Sequence, residues 1–318
     1  MTPIEVQVLI LTSELDFATD LVCRKLASMD VPFLRLNREK LDAADLVLDP
    51  VAPTLLCSHG GSQWHVGPAL RSVWWRQGTF DRNVAGADPS TAVQLHRSQW
   101  SAFMRSMMVF DHATWVNHPG RIYRAETKAV QLREAAAIGF DVPPTVMTNS
   151  PEAEAARAIG TSVALKSVDT LLLRDGQDQL FGYTSIVDWA EVASPELRFA
   201  PATVQAALHD KVDLRVTIVG NDMWAVAIRR DGRGIDGDWR LTPKQDVQIS
   251  PHPLDAATAA RCFELLRRLD LGYGAIDLAV SAGRTWFVEI NPTGEWGWLE
   301  HPDRPIADAI AKRLASPC

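Results

Sequence analysis

Gly274-Ala275-Ile276-Asp277-Leu278-Ala279-Val280 runs into a short turn at Gly283 and out again as Trp286-Phe287-Val288-Glu289-Ile290-Asn291-Pro292. The pattern predicts two β-segments joined by a tight turn, setting Asp277 against the strand of Glu289 and Asn291. A period of two puts Glu289 and Asn291 on one face. Two carboxylates and an amide oxygen then converge without Cys or His. Such a set suits a hard cation such as Mg2+, which keeps water and phosphate oxygens in its other positions. Apolar residues lie between and beside all three, so a merely solvated polar face is the weaker reading.

Working outward, short apolar segments at 163–167, 180–186, 203–207, 214–219 and 223–229 read as strands of an α+β ligand-binding module. A helix is predicted from Ala125 to about Ile138, stopped by Gly139 and the pair Pro143-Pro144. At the amino end, residues 4–11 read as a buried strand, 16–29 as a helix and 31–36 as a second strand, a βαβ opening. No glycine follows the first strand in Leu11-Thr12-Ser13-Glu14, so nucleotide binding by this segment is not expected. Ser72-Val73-Trp74-Trp75-Arg76 ends the strands of this unit, and helical periodicity resumes over 90–110. The expected division is 1–122, 123–201 and 202–318, with no internal repeat or low-complexity linker.

The chain has 318 residues, 47% of them hydrophobic, and a formal net charge of −7. That length supports several packed layers, and the acidic balance argues against a duplex nucleic-acid partner. The start lacks a basic region ahead of its apolar run, and no segment approaches the roughly 18 apolar residues of a membrane span, so a cytoplasmic protein is expected. Cys23, Cys57, Cys262 and Cys318 are scattered and read as reduced thiols. Cys57, His59 and His65 have a spacing that a metal would accept, but His59-Gly60-Gly61-Ser62 reads better as a hairpin turn.

The Asp277 … Glu289-x-Asn291 pattern resembles the metal-binding signature of the ATP-grasp superfamily. More narrowly, Phe287-Val288-Glu289-Ile290-Asn291-Pro292-Thr293-Gly294-Glu295-Trp296-Gly297-Trp298-Leu299-Glu300 resembles the microviridin-type, or graspetide, peptide ligases. So do Trp115-Val116-Asn117-His118-Pro119, Arg124-Ala125-Glu126-Thr127-Lys128 with Gln131-Leu132, and Val142-Pro143-Pro144-Thr145 with Thr148-Asn149. The opening Val8-Leu9-Ile10-Leu11-Thr12 and Val73-Trp74-Trp75-Arg76 are similar to that family's first domain. The resemblance implies an α/β N-terminal pre-ATP-grasp domain followed by an α+β ATP-grasp fold whose two lobes clamp ATP.

It further implies that Lys128 and Lys166 contact nucleotide phosphates, that Gln205, Ala206, Ala207 and Leu208 form the hinge that reads adenine, and that Asp213 lies near the ribose. Arg215 and Arg240 would act on the transferring phosphate, and Asp277, Glu289 and Asn291 would hold Mg2+, in two ions. Family members carry Glu where this chain has Ala206, which leaves base recognition to the backbone, and Asn where it has Thr293. Arg229, Arg230 and Arg233 with glycines 232, 234 and 237 read as a mobile loop, and Trp296 and Trp298 as core aromatics, with walls of the acceptor site as the alternative.

By the same resemblance the partner is a ribosomally made precursor peptide, leader plus acidic core, with no nucleic acid or membrane and a homodimer allowed. Residues 171–184 are the expected leader-docking hairpin. The implied activity is ATP-dependent activation of Asp or Glu side chains as acyl phosphates, giving macrocyclic ω-esters or ω-amides. A ligase adding an amino acid to a small molecule or protein tail would share the nucleotide contacts, and a non-catalytic nucleotide-binding module is a third alternative. Ester and amide chemistry, ring pattern and precursor sequence stay open.

Overall fold

The computed structural model describes residues 2–78, 90–169, 172–175 and 178–317, and for 172–181 the backbone only. At its amino end, the strand Val8–Thr12 is flanked by Phe33–Asn37 and Ser72–Trp75, with Thr114–Val116 beyond, all parallel. This strand is an unbroken apolar run because both of its faces are covered. Leu9 and Leu11 pack with Val73, Trp75, Met104 and Phe110. On the other face Val8, Ile10 and Trp74 pack with Val22 and Leu26 of the helix Phe17–Ser28, and with Ile306, Ile310 and Leu314 of the last helix, Ile306–Ala315. Ser72 Oγ donates to Leu314 O at 2.7 Å and Arg71 Nη1 to Ala315 O at 3.2 Å, fixing that last helix.

The βαβ opening is present, with two corrections. Residues 4–11 are not one strand: Ile4–Glu5 pairs with Ser62–Val66 in a separate sheet, and the chain changes sheets at Val6 and Gln7, whose N–H groups go to His65 O and Pro32 O. An unbroken apolar run hides such a change, since it has no alternation to be interrupted. Nor is Ser72–Trp75 the last strand, because Thr114–Val116 joins beside it. The hairpin Thr54–His59/Ser62–Val66 turns at Gly60 and Gly61, with φ +56° and +78°. Both values lie in the left-handed region that a two-residue hairpin turn requires. Cys57 is buried in the core, His65 lies 2.9 Å from the Glu5 carboxylate and His59 Nδ1 is 2.7 Å from Ala43 O, so the three are separately engaged.

Two larger antiparallel sheets and a two-stranded one follow. Five strands run in the order Gln248–Pro251, Asp222–Arg229, Val212–Val219, Tyr273–Ser281, Arg284–Asn291. Four run in the order Ser185–Asp188, Ser162–Ser167, Ala202–Ala206, Thr145–Thr148. The predicted strand at 180–186 is two pieces, Asp178–Phe181 and Ser185–Asp188, parted around Gly182. Leu172–Asp175 pairs with Asp178–Phe181, while Leu171, Gly176 and Gln177 of the expected leader hairpin lie outside the described residues.

The predicted helix from Ala125 to Ile138 is also two, Pro119–Glu126 and Lys128–Ala137, broken at extended Thr127. Buried Gln131 explains the break. Its amide donates to Ala125 O at 2.6 Å and to Ile290 O at 2.8 Å and accepts from Ile290 N at 3.1 Å, so the second helix is pinned beside Glu289.

Asn117 does the same on the other side. Its Nδ2 donates to Tyr273 O and Pro292 O, both at 2.8 Å, and its Oδ1 accepts from Gly272 N at 2.7 Å and Tyr273 N at 3.1 Å. Asn117→Ala strands these buried groups at a cost of about 3 kcal/mol. A melting temperature lower by about 5 °C is expected by circular dichroism, and a change within about 1 °C would contradict that cost.

Candidate active site

The two strands quoted first pair so that Asp277 lies opposite Glu289 and Ala275 opposite Asn291, with a bulge between Asp277 and Leu278. Arg215 stands opposite Asp277 on the next strand, making a row of cation, carboxylate, carboxylate across the sheet. Arg215 Nη1 donates to both Asp277 oxygens, at 2.9 and 3.1 Å, while its buried Nε has no partner. Lys128 opens its helix and brings Nζ to 3.6 Å from Glu289. Burial lifts the Asp277 carboxyl to about 7 against the pull of Arg215. Burial also pushes Glu289 upward, but Lys128, Lys166, Arg240 and Arg215 outweigh it and hold its carboxyl below the usual range.

Across the cleft, the strand Ser162–Ser167 presents Lys166, whose Nζ donates to Gln205 Oε1 at 2.7 Å, and Gln205 Nε2 in turn donates to Thr145 Oγ1 at 2.8 Å. Burial lowers the Lys166 ammonium to about 8, with Glu289 and Asp238 working against the shift and Lys128 and Lys211 adding to it. The Ala206 N–H is taken by Pro144 O at 2.8 Å. Ala206 and Leu208 line the cleft, whereas Ala207 is not among its lining residues. Asp213 is ion-paired with Lys211, and burial raises its carboxyl all the same.

The third side is the turn Asp238-Trp239-Arg240. Arg240 forms a fork on Asp238, Nε to Oδ1 at 2.8 Å and Nη2 to Oδ2 at 2.6 Å, with its guanidinium 5.7 Å from the Tyr183 ring centroid. Of the residues leading there, Gly234 is packed, a Cβ on it falling 1.8 Å from Lys211 O, while Gly232 and Gly237 face open space. The cleft adjoins a groove of about 910 Å³ that shares Thr184, Ile186, Gly237 and Asp238 with it.

All the residues expected to hold nucleotide, phosphate or metal, except Ala207, therefore line one cleft. Sequence reasoning missed Lys211, although its spacing of two from Asp213 on a strand was a usable signal. Gln131 stands among the residues of the resemblance, but no sequence signal marks its role of pinning the helix to Ile290. Trp296 follows the core reading: it is fully buried and lines no part of the cleft. Trp298 is partly exposed and lies against Trp239, ring centroids 5.6 Å apart.

No family model matches this chain, and no curated protein does. Solved structures do. Macrocyclase MdnC from Microcystis aeruginosa MRC, crystallised with precursor peptide MdnA, is 25% identical with a TM-score of 0.81 over 97% of this chain and 99% of that one. Macrocyclase MdnB from the same organism is 25% identical with a TM-score of 0.75 over 97% and 99%. A RiPP-associated ATP-grasp ligase from Chryseobacterium gregarium, in complex with ADP and a leader and core peptide, is 24% identical with a TM-score of 0.83 over 97% and 96%. The chain has the ATP-grasp fold with an α/β unit ahead of it, and over nearly its whole length it is built like the ligases that macrocyclise ribosomal peptides.

Proposed function

We propose that this chain is an ATP-dependent peptide ligase that joins Asp or Glu side chains of a ribosomal precursor to hydroxyl or amine side chains. One observation carries the proposal: Asp277, Glu289 and Asn291 stand in register in a cleft that also collects Lys128, Lys166, Arg215 and Arg240, within a chain built throughout like macrocyclases. The division into 1–122, 123–201 and 202–318 goes with it, ATP lying between the last two lobes.

The donor set fits Mg2+, since it offers hard oxygens only. Arg215 and Lys128 now neutralise Asp277 and Glu289. Mg2+, whether one ion or two, would supply charge neutralisation at the phosphates and leave both cations free to face them. Backbone groups of the hinge at Gln205, Ala206 and Leu208, which line the cleft, would read the adenine edge, and Asp213 offers the ribose a carboxylate. Arg215 and Arg240 stabilise charge while a substrate carboxylate attacks the γ-phosphorus of ATP and ADP leaves. The hydroxyl or amine then attacks the acyl phosphate and phosphate departs, so no side-chain nucleophile is needed. The groove beside Asp238 gives the peptide a path to Arg240. The partner is taken to be a leader plus acidic core, and a homodimer is compatible with it.

Incubation with ATP, Mg2+ and a short acidic peptide that carries Asp or Glu together with Ser, Thr or Lys should release ADP and remove one water per link, read by mass spectrometry. A product heavier by an amino acid would instead favour the amino-acid ligase.

Lys166 supplies a pH signature. Phosphate beside it raises its pKa above the free value of about 8, so between the two values binding takes up a proton. ATP affinity should fall as pH rises through 8, by up to about tenfold per pH unit, and Lys166→Arg should flatten the dependence. Calorimetry in buffers of different ionisation enthalpy measures the uptake, and wild-type affinity level across this range would contradict the role.

A further inference from the structure

Arg76 is a cation the chemistry above does not use, and its side chain is 2% exposed. Burying a guanidinium is costly unless every donor is matched with good geometry. Here Nε donates to Asp16 Oδ2 at 3.1 Å, Nη1 to Thr293 O at 2.6 Å and Gly294 O at 3.2 Å, and Nη2 to Glu295 Oε1 at 3.0 Å. Asp16 itself is buried, its other contacts being Thr12 and Thr19. Three of these four acceptors belong to the loop that begins two residues after Asn291.

Further contacts hold the same loop. Tyr273 Oη donates to Gly294 O at 2.6 Å, Thr293 N donates to Asn291 Oδ1 at 3.0 Å, and a Cβ on Gly297 would meet Ala18 at 2.9 Å. With Trp296 anchored in the core, the loop ends by laying Trp298 against Trp239, the residue before Arg240. A continuous path thus runs from the first sheet, through Arg76 and the loop, to the turn that carries Arg240.

We propose that Arg76 is a positioning residue: by fixing the loop from Thr293 to Leu299, it sets Trp298 against Trp239 and so holds Arg240 in place for phosphate transfer. The proposal rests on the reading of Arg240 as an arginine of the transferring phosphate. It assigns the first sheet a part in catalysis although that sheet contributes no residue lining the cleft.

The two ends of the path can be cut separately. Arg76→Lys keeps the charge but cannot reach all four acceptors. Trp298→Ala removes the stack at a site 39% exposed, where the fold tolerates change. Each should lower kcat about tenfold or more, with ATP affinity within about twofold of wild type. Trp298→Phe, which can still stack, should restore most of the rate. Cuts in one path do not multiply, so the double variant should be no slower than the slower single variant within about threefold.

Hydrogen exchange supplies a readout independent of turnover: in the ADP-bound protein, amides of 236–243 should exchange faster in both variants. Should Arg76→Lys fail to fold, Glu295→Gln, at a half-exposed end of the same network, takes its place. Multiplying kcat effects, no recovery in Trp298→Phe, or unchanged exchange at 236–243 each overturns the proposal. A wild type that releases no ADP with the acidic peptide instead sinks the ligase reading, and the exchange result still stands or falls alone.

Discussion

Glu289→Ala is expected to slow peptide-dependent ADP release at least about a thousandfold, equivalent to roughly 4 kcal/mol of transition-state stabilisation. The carboxylate sits opposite Asp277, with Lys128 3.6 Å away, and the local cations hold it ionised. Removing it takes away one of three oxygen donors proposed for Mg2+ and leaves Lys128 and Lys166 without their carboxylate. The protein should still fold, because Glu289 is only half-buried and the strand pairing of its backbone is untouched. The informative comparison is with Glu289→Gln, which keeps shape and one oxygen donor but loses the charge, and should fall between alanine and wild type. Rates at saturating Mg2+, together with a circular dichroism spectrum matching wild type, decide the matter. Near-normal turnover in the alanine variant would exclude Glu289 from the metal site.

Arg240→Lys carries the second large effect. Asp238 holds the guanidinium by two parallel hydrogen bonds, which aims its outer edge, and half of the side chain is open to the cleft. A lysine keeps the charge and loses the fork, so it can neither be aimed by Asp238 in the same way nor present two donors to one anion. kcat should drop about a hundredfold while the ATP dissociation constant moves by less than about threefold. Arg215→Lys should share the direction, with the added cost of loosening Asp277. A loss confined to ATP affinity would move both arginines from the transferring phosphate to the bound nucleotide.

The core of the site was legible because its elements alternate. Asp277, Glu289 and Asn291 were placed on facing strands by period-two spacing alone, and the register puts Asp277 directly opposite Glu289. Lys166 stood out as a charge within an apolar strand, and it is desolvated enough to lose affinity for its proton. What escaped notice lacks a local signal. The change of sheet at Val6 and Gln7 interrupts no pattern, the break at Thr127 has neither Gly nor Pro, and its cause, Gln131, is a long-range bond to Ile290. Trp296 and Trp298 look equivalent in sequence, yet one is core and the other surface, a difference set by packing of segments far apart in the chain.

The last helix, Ile306–Ala315, closes the face of the first sheet formed by Val8, Ile10 and Trp74. Synthesis makes that face well before it makes the helix that covers it. A nascent chain arrested before residue 306 therefore displays an open apolar surface, available to a holding chaperone or to another such chain. The strand Val8–Thr12 should gain its full protection only when the helix from Ile306 docks.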